Sequence, residues 1–189
     1  MESKTSLRKQ AKLLRDSLDT AYISDISNKI VNNITLWDRY KESKNVMLFY
    51  PIKSEISLLG LLSDKTKSFY FPSVVGNDIF PVQYFEKKGF KNGDFNIKEP
   101  VGLRIDDFSV IDLIFAPALA VDKNGYRLGY GKGYYDRFFE HISLNVVKAV
   151  PVFSKLFLEN IPYETCDKTV DYVITEDSIC PTLHSILNG

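Results

Sequence analysis

Val46-Met47-Leu48-Phe49-Tyr50-Pro51 is an apolar run of strand length stopped by a proline. A run this short, apolar at every position and without polar alternation, reads as a strand covered on both faces. Further stretches of strand length follow along the chain, some with one polar residue among apolar ones. They are Phe69 to Phe71 before Pro72, Phe80 to Phe85, Val110 to Phe115 before Pro117, Val146 to Val150, and Tyr172 to Ile174. Elsewhere the spacing is helical. Leu7, Ala11, Leu14 and Leu18 recur at helical intervals after Ser3 or Ser6, either of which serves as a cap. Lys4, Arg8, Lys12 and Arg15 form a neighbouring stripe on the same helix. Ile26, Ile30 and Ile34 mark a second helix after Ser24, and Ile56 to Leu62 and Tyr134 to Ile142 mark two more. Lys91-Asn92-Gly93-Asp94 reads as a turn. Apolar strands alternating with helices predict an α/β fold: a single-domain layered sandwich over residues 1–189, with a largely parallel, Rossmann-like sheet flanked by helices.

Composition narrows the function. The 189 residues are 44% hydrophobic and 25% charged, and 24 Lys plus Arg balance 24 Asp plus Glu. A net charge of zero gives no global attraction to nucleic acid or to an anionic membrane, so any anion site must be built by local placement. The cysteines, Cys166 and Cys180, form no CxxC pair, and the only histidines are His141 and His184. A structural zinc site or a histidine-based triad has little to draw on. The charged start and the lack of a long apolar run predict neither secretion signal nor membrane span. The cytoplasm is the expected compartment, and a monomer is the expected state.

The chemical signal is Arg127-Leu128-Gly129-Tyr130-Gly131-Lys132-Gly133-Tyr134-Tyr135-Asp136, inside a glycine-rich stretch from Gly125 to Gly133. Glycines at alternate positions let successive backbone N–H groups converge on an anion. A helix starting just beyond adds partial positive charge, and Arg127 and Lys132 add two full ones. Together they predict a polyphosphate cradle. A Walker loop needs Ser or Thr where Gly133 stands, and the dinucleotide fingerprint needs Gly where Tyr134 stands. A plain surface turn is the alternative.

With this signature the chain resembles the 5-formyltetrahydrofolate cyclo-ligase family. The family's R-x-G-x-G-x-G-Y-Y-D is matched by Arg127 to Asp136, and its N-terminal K-x-x-L-R by Lys4, Leu7 and Arg8. A strand followed by a loop with S-E is matched by Tyr50, Ser54 and Glu55. A late stretch is matched by Pro162, Asp167, Asp171, Ile174, Thr175 and Glu176. The four keep the family's order from residue 4 to residue 176. Cys166 stands where relatives often carry His, and Lys132 where many carry Gly.

The resemblance implies conversion of 5-formyltetrahydrofolate to 5,10-methenyltetrahydrofolate with ATP and Mg²⁺, releasing ADP and phosphate. A formamide oxygen leaves poorly until it is phosphorylated, after which N10 of the folate displaces it. The protein's work is then positioning and charge neutralisation. By similarity Lys4, Arg8 and the loop from Arg127 through Leu128, Gly129, Tyr130, Gly131, Lys132, Gly133, Tyr134 and Tyr135 bind ATP. Arg127 and Lys132 are the expected catalytic cations. Tyr50 and Glu55 contact the folate, with Tyr130 and Tyr134 as aromatic wall. Asp136 is the best metal candidate, with Asp167 or Asp171 as second ligand. Structural alternatives stand beside each: a solvated basic face for Lys4 and Arg8, a helix cap for Glu55, and an ion pair with Arg137 for Asp136. A small-molecule kinase and a non-catalytic folate or phosphate binder are the competing functions.

Overall fold

The computed structural model describes residues 3–93 and 98–188. Helix α1 spans Lys4–Asp16, with Ser3 as N-cap accepting from the Ser6 N–H, and α2 spans Thr20–Leu36 with Asp19 as N-cap. A short α3 (Asp38–Glu42) leads into β1 (Asn45–Met47). Then follow β2 (Ser68–Val75), β3 (Asp78–Gln83), β4 (Phe90–Asn92), β5 (Lys98–Pro100), β6 (Leu113–Phe115), β7 (Ala120–Asp122) and β8 (Arg127–Leu128). Helix α4 (Tyr134–Glu140) precedes β9 (Val147–Pro151), β10 (Phe157–Leu158), β11 (Tyr172–Ile174), β12 (Ile179–Pro181) and α5 (Leu183–Asn188).

The main sheet has the order β12-β11-β9-β6-β1-β2-β3. Strands β2, β1, β6, β9 and β11 run parallel, and β3 and β12 close the edges antiparallel. Leu113, Ile114 and Phe115 are fully buried, as are Val46, Met47 and Leu48, which explains their unbroken apolar runs. On α2, Ile26, Ile30 and Ile34 are buried in the same cluster. Removing any of these side chains from water stabilises the fold by about 1.5–3 kcal/mol.

The chain leaves β1 for β2 on one side and returns to β6 on the other. At such a reversal the connections diverge, leaving a crevice at the C-terminal strand ends.

Several sequence expectations are corrected. Strand β2 continues through Pro72, because Pro72 lies opposite Pro81 of β3 and neither proline is required to donate to the other. The helix expected over Ile56 to Leu62 is a 3₁₀ segment, Leu59–Ser63. Lys91 and Asn92 belong to strand β4, paired with β5, rather than to a turn; Asp94 lies outside the described residues. On α1 the buried positions are Ala11 and Arg15, while Leu14 is exposed.

Candidate active site

A cavity of about 570 Å³ occupies the crevice, bordered by Phe49 and Tyr50 beyond β1 and by Pro117 beyond β6. Pro72, Val74 and Ile79 from the β2–β3 hairpin form an apolar wall. The glycine loop closes the opposite side. Gly131 and Gly133 have φ of 91° and 69°, which favours glycine, and Gly133 caps α4. Among the described residues none accepts a hydrogen bond from their amide N–H groups. Arg8 Nε donates to the Gly129 carbonyl at 2.9 Å. Arg137 holds the loop's far end, donating to the Lys132 carbonyl at 3.1 Å and to Asn77 O at the hairpin tip at 2.9 Å. Helix α4 has only seven residues, so the cations carry most of the positive potential here.

Arg127 lies beneath this loop with a side chain 4% exposed. It donates to Asp136 Oδ1 at 2.8 Å and lies 5.6 Å and 5.0 Å from the rings of Tyr135 and Phe139. Burial pushes its pKa down, and Asp136 opposes that shift. Its Nε is buried and has no hydrogen-bond partner among the described residues. Lys4 Nζ reaches Asp167 at 2.5 Å and Glu164 at 3.2 Å, joining α1 to the loop before β11. Burial works against the Lys4 charge, but the two carboxylates outweigh it and raise its pKa.

Across the cavity, Glu55 is held by a strained turn in which Lys53 has φ 52°. Glu55 Oε2 accepts from the Ile52 N–H at 2.9 Å, and Oε1 accepts from the Tyr130 hydroxyl. Burial pushes the Glu55 carboxyl up, against the bonds from Tyr130 and Ile52 and the Arg15 charge. Tyr50 packs edge-on to Phe90 at 5.0 Å.

The profile of the 5-formyltetrahydrofolate cyclo-ligase family matches residues 1–176. The chain belongs to that family. Its members are ligases, and this chain is an enzyme of that class. The 5-formyltetrahydrofolate cyclo-ligase of Mycoplasma genitalium is 31% identical over 153 residues, 78% of this chain and 83% of the relative. The mouse protein of the same name is 27% identical over 165 residues, 79% and 81% of the two chains. The solution structure of Aquifex aeolicus 5,10-methenyltetrahydrofolate synthetase superposes with a TM-score of 0.86 at 33% identity, covering 95% of this chain and 93% of the other.

In this family member the cavity is bordered by Lys4, Arg8, Tyr50, Glu55, Arg127, Gly129 and the whole run from Tyr130 to Asp136. Two sequence expectations fall away from it. Leu128 is 1% exposed and packs in the core. Asp171 precedes β11, at the N-terminal end of a parallel strand, whereas the cavity lies at the C-terminal ends. There its Oδ2 accepts from the Lys148 N–H at 2.7 Å, with Lys148 Nζ at 3.3 Å, so it is no ligand for a metal in the cavity. Asp136 does border the cavity but pairs with Arg127, not Arg137, and its Oδ1 also accepts from the Lys168 N–H at 3.1 Å. Among the described residues no group of three or more His, Cys, Asp or Glu side chains forms a metal cage. Asp136 and Asp167 both border the cavity, each a carboxylate of the kind that holds Mg²⁺ together with phosphate oxygens. Gly125 lies in the β7–β8 turn, hydrogen-bonded to Asp122 O at 3.0 Å, and is not part of the cradle.

Two further groups, Arg15 and Glu99, lie beside the predicted site residues. Glu99 borders the cavity, buried, and accepts from Ser73 Oγ at 2.8 Å and the Val74 N–H at 3.0 Å. Nothing in Lys98-Glu99-Pro100 marks it in advance. Arg15 belongs to the stripe of Lys4, Arg8, Lys12 and Arg15, and in the structure it lies on the buried face of α1 with Ala11. Among the described residues no helix is long and apolar enough to cross a membrane.

Proposed function

We propose that this enzyme cyclises 5-formyltetrahydrofolate to 5,10-methenyltetrahydrofolate at the expense of ATP, with Mg²⁺ as metal. The supporting observation is that one cavity holds both a cation-flanked glycine loop and a buried carboxylate facing it. The loop amides of Gly131 and Gly133, with Arg8 and Lys4, would take the nucleotide's phosphates. ATP supplies a phosphoryl group that turns the formyl oxygen into a leaving group. Glu55 accepts from the pterin's N–H groups, Tyr50 and Tyr134 flank the ring, and the apolar hairpin wall limits water. Arg127 and Lys132 offset charge as the phosphoryl group moves. Asp136 and phosphate oxygens would hold Mg²⁺ between them. The free thiols of Cys166 and Cys180 suit a reducing compartment, and we assign the reaction to the cytoplasm.

The test is a spectrophotometric assay. Protein with ATP, Mg²⁺ and 5-formyltetrahydrofolate should raise the near-ultraviolet absorbance of the methenyl product, and omitting ATP should abolish the rise. ADP formation without that product would instead favour a small-molecule kinase.

A further inference from the structure

Arg15 sits on the buried face of α1 with a side chain 4% exposed, against a Glu55 side chain 5% exposed. Its NH2 donates to the Tyr130 hydroxyl at 2.6 Å, and Tyr130 in turn donates to Glu55 Oε1. Its Nε donates to Ser54 Oγ at 3.2 Å, and Ser54 Oγ donates to Asp16 at 2.8 Å. Its NH1 lies 3.7 Å from Glu55 Oε1 and makes no hydrogen bond. Arg15 and Glu55 also border a void of about 10 Å³, the size that admits one water.

A buried guanidinium with an unmatched donor is a poor stabiliser, since an apolar side chain of similar volume holds such a site as well or better. The position is on a helix face where Leu or Met would pack. The guanidinium is placed where its charge acts on one neighbour, Glu55. Among the described residues, the other charged or titratable groups around Glu55 are Tyr130 from the glycine loop, the buried Tyr135 just beyond it, whose ionisation Glu55 opposes, and Asp16, one hydroxyl further away behind Ser54.

We infer that Arg15 is a positioning residue that holds Glu55 as an oriented carboxylate, acting directly through its charge and indirectly through the Tyr130 hydroxyl. This rests on the proposed folate role of Glu55. With Arg15 in place, Oε2 is fixed by the Ile52 N–H and Oε1 by Tyr130, so the carboxylate plane is set before substrate arrives. Because Tyr130 belongs to the phosphate loop, the same contact ties the two halves of the cavity together.

The test uses Arg15→Met, Arg15→Lys and Tyr130→Phe in the full chain. The Glu55 carboxyl is followed by carbon-13 NMR titration, assigned with Glu55→Gln, and 5-formyltetrahydrofolate binding is measured against pH without ATP. Arg15→Met should move the Glu55 midpoint upward and weaken folate binding at neutral pH by about tenfold, the size of one charge-assisted hydrogen bond. Raising the pH should recover part of that loss, and Arg15→Lys should retain part of it, while the KM for ATP stays within about twofold. A merely structural lesion would be indifferent to pH. A folded Arg15→Met protein with unchanged Glu55 titration and folate affinity overturns the inference. So does a pH-independent loss that affects ATP equally. If Arg15→Met does not fold, Arg15→Lys and Tyr130→Phe decide by the same titration, which must move upward in both. If the parent protein binds no folate at any pH, the folate reading fails, while the titration still judges the hold of Arg15 on Glu55.

Discussion

Replacing Arg127 should unsettle the fold as well as ATP use. Its side chain is 4% exposed and is the main partner of Asp136, whose own side chain is 25% exposed. In Arg127→Met the aliphatic volume is largely kept, so no large cavity opens. Asp136 Oδ1 keeps only the Lys168 N–H at 3.1 Å. Breaking a buried ion pair from one side costs about 3–5 kcal/mol, and the partial exposure of Asp136 argues for the lower end. Loss of the cation over the Tyr135 and Phe139 rings adds about 0.5–1 kcal/mol. The expected total is about 3.5 kcal/mol. With a urea dependence of about 2 kcal/mol per molar, the unfolding midpoint should fall by about 1.5–2 M. The double variant with Asp136→Asn should recover about 1–2 kcal/mol, since the two residues are in contact and do not add. An Arg127→Met midpoint close to the parent's, with ATP use abolished, would refute this and make Arg127 a phosphate ligand alone. The sequence by itself suggested that second outcome.

Glu55→Gln should raise the KM for folate far more than that for ATP. It should also remove the acid limb of the folate pH profile. That limb lies above the ordinary carboxylate range, because burial raises the Glu55 pKa and folate binding is lost as pH falls through it. The same raised pKa gives a stability contribution that is full below the unfolded value and is lost as pH rises through the folded one, so Glu55→Gln should flatten the urea midpoint in that window. Asp136→Asn should weaken the Mg²⁺ dependence of turnover, while Asp171→Asn leaves it unchanged and lowers only the melting temperature; equal effects on Mg²⁺ would contradict their placement at opposite sheet ends. Lys132→Gly should keep substantial turnover, and an inactive variant would make that cation central.

What could be read from sequence follows from how each signal is generated. The strands β1 and β6 and the Ile26, Ile30 and Ile34 stripe of α2 were legible because burial on every side leaves a continuous or strictly periodic apolar record. Pro72 misled because a proline forbids only the hydrogen bond it would have donated, and opposite Pro81 that bond is not needed. The two-residue strands β8 and β10 are too short to show any period. Arg15 was opaque for a different reason. A cation on a helix defaults to solvent in any sequence-based expectation, and only the meeting of α1, the Glu55 turn and the glycine loop makes its burial intelligible. Ser54 of that turn lies 39 residues and Tyr130 of that loop 115 residues from Arg15 along the chain, and they meet because the order of strand addition reverses between β1 and β6. The same reversal brings residues near 50 and near 130 to one cavity. Local pattern thus marked the glycine loop and its cations, the family resemblance added Lys4, Arg8, Tyr50 and Glu55, and topology decided that Leu128 and Asp171 do not border the site.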